Sequence, residues 1–239
     1  MGKTEKVLKL TGDDHKHLSL VLRARIGETV AVSTGDGFDY FYTIESISKS
    51  ETILSFIEKR QNLSEPTIQL TLFTAVLKGD KNETVVRMCT ELGVTRICPM
   101  VTEYTVALGE SYKTERMRKI ALEASKQSGR GRVPEIFEPM TFNDAVKVFA
   151  DFDCVVFPYE HAEEIGIKDF LGEKLFKAKK PVVNIAVLVG SEGGFSKKEA
   201  EKLIEQGITP ITLGKRILRA DTACITVCAM ILYAAEEMA

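Results

Sequence analysis

The sequence lacks the features that would assign its 239 residues to a membrane, a secretory route or a metal site. Its longest uncharged stretch near the C-terminus, residues 223–235, is shorter than the roughly 20 apolar residues of a spanning helix. The opening MGKTEKVLKL has no apolar segment of the signal-peptide kind. The five cysteines form no CxxC pair, and the three histidines show no metal-ligand spacing. We therefore expect a cytoplasmic protein with no metal and no membrane contact.

The net charge of −2 excludes binding to nucleic acid by overall positive charge. Basic residues are concentrated in KTERMRKIALEASKQSGRGR, residues 113–132. Such a run is typical of a solvated helix face. Alternatively, because the helix is expected to end at Gly129, Arg130 and Arg132 lie on a loop from which their guanidinium groups can reach phosphates.

The first third of the chain predicts a small β domain. Short alternating segments (ETVAVS, FDYFYTIESIS and ETILSFIEKR) favour strands of a barrel or sandwich. DDHKHLSLVLR before them predicts a helix with Leu18, Val21 and Leu22 on one apolar face. The polar segment NLSEP ends in a proline and is interpreted as the linker. We place the domains at residues 1–67 and 68–239.

Strand and helix patterns alternate after the linker, which is typical of a parallel sheet covered on both faces. Two motifs follow strands of this sheet: LVGSEGGFSKKEAE, from Leu188, and LGKRILRADTA, from Leu213. Because ligands bind beyond the carboxyl ends of such strands, the two loops indicate one composite pocket. Gly190, Gly193 and Gly194 permit positive φ or close approach of a ligand.

The glycine spacing fits neither GxGxxG nor a P-loop. Ser196 and Glu199 form the pattern of a capping box at the start of the next helix, so we assign them no chemistry.

GSEGGFSKKE and LGKRILRADTA together resemble the paired C-terminal motifs of the SPOUT class of S-adenosylmethionine-dependent methyltransferases. More narrowly, they are similar to those of the bacterial enzymes that methylate N3 of a uridine in 16S ribosomal RNA of the small subunit. Three further segments agree with that family, so that the resemblance spans about residues 11 to 238: HLSLVLR, TELGVTRICP and ERMRKIALEASKQSGRGRVP.

The resemblance implies an α/β fold, in which a C-terminal trefoil-knot methyltransferase domain follows a small N-terminal PUA-like β-barrel that binds RNA. It also implies a homodimer whose pockets are completed by the partner chain, with 16S ribosomal RNA, within the small ribosomal subunit, as the macromolecular partner. Knots are rare among folds, and periodicity alone does not predict this one.

The implied methyl donor is S-adenosyl-L-methionine, with S-adenosyl-L-homocysteine as product, bound between loops 158–162, 188–194 and 213–219. The resemblance carries the following residues into the donor site: Pro158, Glu160, Leu188, Gly190, Glu192, Gly193, Gly194, Leu213, Gly214, Ile217, Leu218, Arg219 and Thr222. RNA contacts are expected from His17, Arg23, Arg116, Lys126, Arg130 and Arg132.

The sequence departs from the family pattern at four places. The Arg-Phe-Phe strand with which many members begin is absent, so we expect the first barrel strand to be missing or replaced. Tyr104 stands where arginine is usual, Val86 and Arg87 where Gln-Lys is usual, and Asp221 where glutamate is usual.

The chemistry of uridine N3 favours arginine at the site. N3 carries a proton, and its loss leaves negative charge on the flanking carbonyl oxygens, which fixed cationic donors stabilise. Arg219 and Arg216 are the candidates, with Arg130 and Arg132 contributed by the other subunit. The alternative for Arg216 and Arg219 is a salt bridge with Asp221 at the helix terminus.

Three other functions remain open at this point. One is a non-catalytic PUA-type module for RNA binding or ribosome assembly. Another is an RNA methyltransferase of the same class with a different specificity. The third is a nucleotide-dependent oxidoreductase on an ordinary doubly wound sheet.

Overall fold

The computed structural model describes residues 6–106, 112–176 and 183–238. The chain divides into two compact units, Met1–Glu65 and Pro66–Ala239, two residues before the boundary expected from the sequence. Each unit has its own hydrophobic core.

The first unit is a four-stranded antiparallel sheet with one helical segment. Its strands pair in the order β1-β4-β3-β2. They are β1 (Val7–Thr11), β2 (Thr29–Ser33), β3 (Phe38–Ile47) and β4 (Glu51–Gln61). The helical segment is α1 (Gly12–Lys16), continued by a π-helical turn (His17–Val21). Leu18, Tyr42, Ile44 and Leu54 form the core.

The first strand of this unit is not missing, since β1, with the sequence VLKLT, pairs along its whole length with β4. The expectation of one apolar helix face is wrong. Val21 and Leu22 are 67% and 61% exposed, whereas Leu18 is buried. The reason is the π-helical turn, in which the N–H of Leu22 bonds to the carbonyl of His17 and changes the spacing that would place the three side chains on one face.

The second unit contains a parallel sheet whose strands follow the order β11-β9-β10-β5-β6-β7, with β8 also paired to β6. The strands are β5 (Gln69–Ala75), β6 (Arg96–Val101), β7 (Glu135–Ile136), β8 (Met140–Thr141), β9 (Cys154–Pro158), β10 (Asn184–Val189) and β11 (Pro210–Ile211). The parallel α/β class is thus confirmed, although the short strands β7 and β8 were not predicted.

Helices cover both faces of this sheet. They are α2 (Lys81–Leu92), α3 (Thr114–Ser128), α4 (Phe142–Val148), α5 (Ile167–Leu171), α6 (Lys197–Glu205) and α7 (Ala220–Ala234), with a 3-10 turn (Phe149–Asp151) after α4 and a π-helical turn (Gly172–Phe176) after α5. Helix α5 and its π-helical turn were not predicted.

The central strand β10 shows why helices must pack on both faces of the sheet. Ile185 and Val187 point into the core that includes residues of α2, α3 and α7, whereas Ala186 and Leu188 belong to the core that includes residues of α4 and α6. Such a strand is buried on both faces, as expected for a parallel sheet. Among the described residues, every helix is too short or too polar to cross a bilayer.

Candidate functional site

The three loops predicted to converge surround one cavity of about 980 Å³. The cavity lies beyond the carboxyl ends of β9, β10 and β11, with the first turn of α7 in its wall. The lining includes these members of the expected donor site: Pro158, Glu160, Gly190, Glu192, Gly193, Gly194, Leu213, Gly214, Ile217, Leu218 and Arg219.

Two residues of the expected donor site do not line this cavity. Leu188 is fully buried in the core that contains Phe73 and Phe195, because alternation along β10 turns its side chain away. Thr222 is exposed in the first turn of α7, and the lining residues there are Ala220 and Ala223.

The second loop is a tight turn packed against itself. The N–H of Gly194 donates to the carbonyl of Ser191 at 2.9 Å, and Gly194 has a φ of +72°. A Cβ on Gly190 would lie 2.7 Å from the carbonyl carbon of Gly194, and one on Gly194 would meet the carboxylate of Glu160. The absence of a Cβ on Gly190 therefore lets the chain pack on its own backbone, and Gly190 also lines the cavity.

Glu192 ties the same turn to the start of α2. Its Oε1 accepts a hydrogen bond from the backbone N–H of Lys78 at 3.1 Å and from Lys81 Nζ at 2.8 Å. Burial alone would raise the pKa of Glu192, but these bonds outweigh it, so the pKa is lowered overall. The carboxylate thus stays charged and holds the turn in place.

The third loop, by contrast, has several side chains exposed to solvent. Arg216, Ile217 and Arg219 are exposed, and Ile217 is 89% exposed. Within the described ranges, the side chain of neither arginine forms a hydrogen bond or an ion pair. The alternative salt bridge with Asp221 is therefore not formed, and Asp221 Oδ1 is buried without a hydrogen-bond partner in the described part of the chain.

Arg130 does not have the position expected of a catalytic or RNA-binding residue. Its side chain is buried, and Nη1 donates to the carbonyls of Thr90 and Val94 at 3.0 and 2.7 Å. These carbonyls lie at the C-terminal end of α2, where a helix leaves acceptors unsatisfied. The structure therefore corrects the prediction: the guanidinium group of Arg130 is used to stabilise the fold.

The other residues expected to contact RNA are exposed. His17 and Arg23 lie on the first unit, and Arg132 on the loop after α3. Arg116 pairs with Glu83 at 2.7 Å, and Lys126 with Glu123 at 3.6 Å. Exposed ion pairs of this kind contribute little to the free energy of unfolding, so the basic side chains can readily pair with other groups instead.

Sequence reasoning missed a second cavity of about 430 Å³ beside the first. It is lined by Tyr104, Tyr159, Glu160, His161, Gly193, Phe195 and Lys197. Tyr104 had been noted only as a departure from the family pattern. Its place just beyond the carboxyl end of β6 was the available signal.

The capping box at the start of α6 is confirmed. Ser196 Oγ accepts from the N–H of Glu199, and the Glu199 carboxylate accepts from the N–H of Ser196. In the described ranges, no group of three or more His, Cys, Asp or Glu side chains is arranged to hold a metal ion.

Comparison with known proteins explains this arrangement. Residues 64–232 match the RNA methyltransferase domain family, and residues 10–57 the RNA methyltransferase PUA domain family. A ribosomal RNA small subunit methyltransferase E from Bacillus subtilis is 30% identical over 95% of this chain and 90% of its own length. The chain belongs to the ribosomal RNA small subunit methyltransferase E family. A member from Rickettsia conorii is 31% identical over 94% of this chain and 88% of its own length.

Solved structures agree with this family assignment. A Legionella pneumophila protein in complex with bound cofactor SAM has a TM-score of 0.81 and 26% identity, covering 98% of this chain and 95% of its own. The methyltransferase E from Neisseria gonorrhoeae bound to S-adenosyl methionine has a TM-score of 0.83 at 24% identity, over 97% and 94% of the two chains, which supports the shared fold.

Proposed function

We propose that this methyltransferase E family member transfers a methyl group from S-adenosylmethionine to N3 of a uridine in 16S ribosomal RNA of the small subunit. The observation that carries the proposal is the cavity formed by the three loops, with the unpaired guanidinium groups of Arg216 and Arg219 in its wall. Relatives named for small-subunit ribosomal RNA methylation and a neighbour with SAM bound support the class of reaction.

The residues present suit the methyl donor. The cavity volume of about 980 Å³ is at the upper end of the size typical of small-molecule sites. Its wall combines backbone of the glycine turn with apolar side chains, among them Val189, Leu213 and Leu218. Apolar walls suit an adenine ring, and exposed backbone groups suit its polar edge. S-adenosylmethionine supplies an electrophilic methyl group when it is bound.

All three loops would contribute residues that hold the donor. Pro158 and Glu160 contribute from the first loop, and Gly190, Glu192, Gly193 and Gly194 from the second. Leu213, Gly214, Ile217, Leu218 and Arg219 contribute from the third. The apolar side chain of Ile217, 89% exposed on this loop, would be covered when the ligand enters.

Arg219 and Arg216 would stabilise the uracil when N3 loses its proton. The negative charge then lies on the carbonyl oxygens that flank N3, and a guanidinium group is always charged and presents several N–H donors. Because neither arginine is engaged elsewhere in the described part of the chain, both are available for this task.

The RNA would be held by both units. The PUA-like unit, with His17 and Arg23, would bind RNA beyond the target nucleotide, and Arg116, Lys126 and Arg132 would contact phosphates. We further propose a homodimer, a trefoil knot in the second unit and a cytoplasmic location. The dimer is supported by Met230 and Tyr233, which leave an exposed stripe on α7.

Titration of the purified chain with S-adenosylhomocysteine and with NAD tests the proposal. We expect micromolar binding of the first and none of the second, measured by calorimetry. Binding of NAD alone would favour an oxidoreductase. Binding of neither, with ribosomal RNA still bound, would favour a non-catalytic RNA-binding module.

A further inference from the structure

The second cavity lies against the proposed donor site without being part of its three-loop wall. The two cavities are neighbours, because they share four lining residues: Tyr159, Glu160, Gly193 and Phe195. Tyr104, His161 and Lys197 line only the second one. A group placed there would therefore lie next to the methyl donor.

Tyr104 is an aromatic ring held at the surface by a rigid turn. The N–H of Thr105 donates to the carbonyl of Thr102 at 3.0 Å, and the N–H of Thr102 donates to Thr105 Oγ1 at 2.9 Å. The N–H of Glu103 donates to Glu199 Oε1 at 2.9 Å. Yet the tyrosine is 47% exposed, so this fixed position is not explained by burial of the ring.

The same tyrosine is joined to the glycine turn of the donor site. Ser191 Oγ donates to the carbonyl of Tyr104 at 3.1 Å, and a Cβ on Gly193 would lie 3.2 Å from the Cβ of Tyr104. Glycine at position 193 thus allows Tyr104 to pack directly on the loop that contacts the donor.

Another part of the lining is also aromatic. Tyr159 stacks on Phe157 at a centroid distance of 5.4 Å and meets His161 edge-on at 5.2 Å. Burial, together with the nearby Glu160 and Glu201 carboxylates, raises the pKa of Tyr159, so its phenol keeps the proton at neutral pH and can donate to a carbonyl.

Glu160 is the one carboxylate in the described part of the chain that lines both cavities. An ionised carboxylate accepts hydrogen bonds and donates none. Uracil presents N–H at N3, whereas cytosine presents a lone pair there, so an acceptor at this wall distinguishes the two pyrimidines.

We propose that this second cavity receives the target base, which stacks on Tyr104 and directs its N3–H to Glu160. The proposal rests on the proposed function, and it names the residues that recognise the substrate. Enzymes that modify a base bring it out of its stack into such a pocket, and an aromatic face supplies part of the energy that unstacking costs. Tyr104 is then a binding residue, and Glu160 a specificity-determining one.

Ligand-observed NMR with uridine 5′-monophosphate tests the pocket without any methyl transfer. The protein is saturated with S-adenosylhomocysteine, and saturation transfer to the uracil protons is compared among wild type, Tyr104→Phe and Tyr104→Ala. We expect Tyr104→Phe to retain the signal and Tyr104→Ala to lose most of it. Calorimetry with S-adenosylhomocysteine on each variant shows that the donor site is intact. No transfer in wild type, or an undiminished signal in Tyr104→Ala, would overturn the proposal.

The base preference tests Glu160. Wild type should favour uridine over cytidine monophosphate, and Glu160→Gln should reduce that preference at least about fivefold, since the amide can donate to the cytosine lone pair. Because Glu160 also lines the donor cavity, calorimetry with S-adenosylhomocysteine checks donor binding in this variant. An unchanged base preference in a Glu160→Gln protein that still binds S-adenosylhomocysteine would remove Glu160 from base recognition.

Methylation at saturating ribosomal RNA completes the test. We expect the single-turnover rate of Tyr104→Ala to fall by about ten- to a hundredfold, while RNA affinity changes less than about threefold because phosphate contacts dominate affinity. If wild type methylates RNA and Tyr104→Ala does so equally fast, the pocket is wrong and the proposed function stands. If wild type binds uridine through Tyr104 but methylates no RNA, the proposed function fails and the pocket stands.

Discussion

Two loops of the same cavity are built in opposite ways. In the loop after β10, Ser191 and Glu192 are hydrogen-bonded to neighbouring segments, and Gly190 packs against the backbone of Gly194. In the loop after β11, Arg216 and Arg219 are exposed, and in the described ranges their guanidinium groups form no hydrogen bond or ion pair. The loop after β10 is held rigid by these contacts, whereas the loop after β11 presents side chains that have no role in the fold.

This difference separates two kinds of functional residue. A change in the rigid loop should affect folding and ligand binding together, because the same atoms serve both. A change in the open loop should affect chemistry alone. The free energy of unfolding and a functional property, measured on the same variant, therefore distinguish the two kinds of residue.

Gly190→Ala should have the broadest effect, because it should change both the free energy of unfolding and ligand binding. The new Cβ would lie 2.7 Å from the backbone of Gly194, which cannot move without distorting the turn. We expect a loss of about 1–3 kcal/mol in the free energy of unfolding. Because the same turn lines the proposed donor cavity, its distortion should also weaken S-adenosylhomocysteine binding, by about a hundredfold.

Gly172→Ala is the matched control, since φ there is −56° and a Cβ would meet no atom within 4 Å. Its unfolding free energy, from denaturant titration, should change by less than about 0.5 kcal/mol. If Gly190→Ala is as stable as the control and binds S-adenosylhomocysteine as tightly, the loop after β10 is not rigid.

Arg219→Ala should act on chemistry alone. The saturated single-turnover methylation rate should fall by about a hundredfold, since the guanidinium group acts on charge that develops during the reaction. The free energy of unfolding should stay within about 0.5 kcal/mol of wild type. Should the variant merely require more RNA to reach the wild-type rate, Arg219 is a binding residue.

Arg130→Ala supplies the contrast to Arg219→Ala. It leaves the carbonyls of Thr90 and Val94 without this donor, so the free energy of unfolding should fall by about 2–4 kcal/mol. The exposed Arg132→Ala is its control and should alter stability little. A stable Arg130→Ala protein with weakened RNA binding would restore the original prediction for Arg130.

Glu192→Gln should have the smallest effect, about 0.5 kcal/mol at neutral pH, because its partner Lys81 is partly exposed. The folded-state pKa of Glu192 lies below its unfolded value. Its stabilising contribution is therefore complete above the unfolded pKa and is lost as pH falls through the folded one. The difference in the free energy of unfolding between wild type and Glu192→Gln should shrink in acid. A constant difference from neutral to strongly acidic pH would show that the ionised carboxylate of Glu192 does not stabilise the fold.

Much of this architecture followed from the sequence. Alternation of buried strands and amphipathic helices predicted the parallel sheet, and Gly129, which ends α3 with a φ of 71°, marked the loop that carries Arg132. The motifs after β10 and β11 identified two walls of the cavity. Their placement beyond strand ends is a rule of such sheets, so proximity could be inferred.

The errors share a physical origin. Whether Arg130 faces solvent or the end of α2 depends on a contact with Thr90, 40 residues earlier, which no local pattern encodes. A glycine that lets the chain pack on itself, as Gly190 does, and a glycine that only admits a ligand look the same in sequence, since both lack a Cβ. The position of Tyr104 does not follow from local sequence, because Ser191, which bonds to its carbonyl, and Glu199, which bonds to the neighbouring Glu103, are close only in the folded chain.

The central claim is that this cavity delivers a methyl group to uridine N3, and analysis of the modified nucleoside tests it most directly. Unmodified small subunits or their 16S ribosomal RNA would be incubated with the protein and S-adenosylmethionine labelled in the methyl group, and the RNA then digested to nucleosides and separated. We expect label in 3-methyluridine with wild type, and about a hundredfold less in the same time with Arg219→Ala. Label in any other nucleoside, or none with wild type that binds S-adenosylhomocysteine, would contradict it.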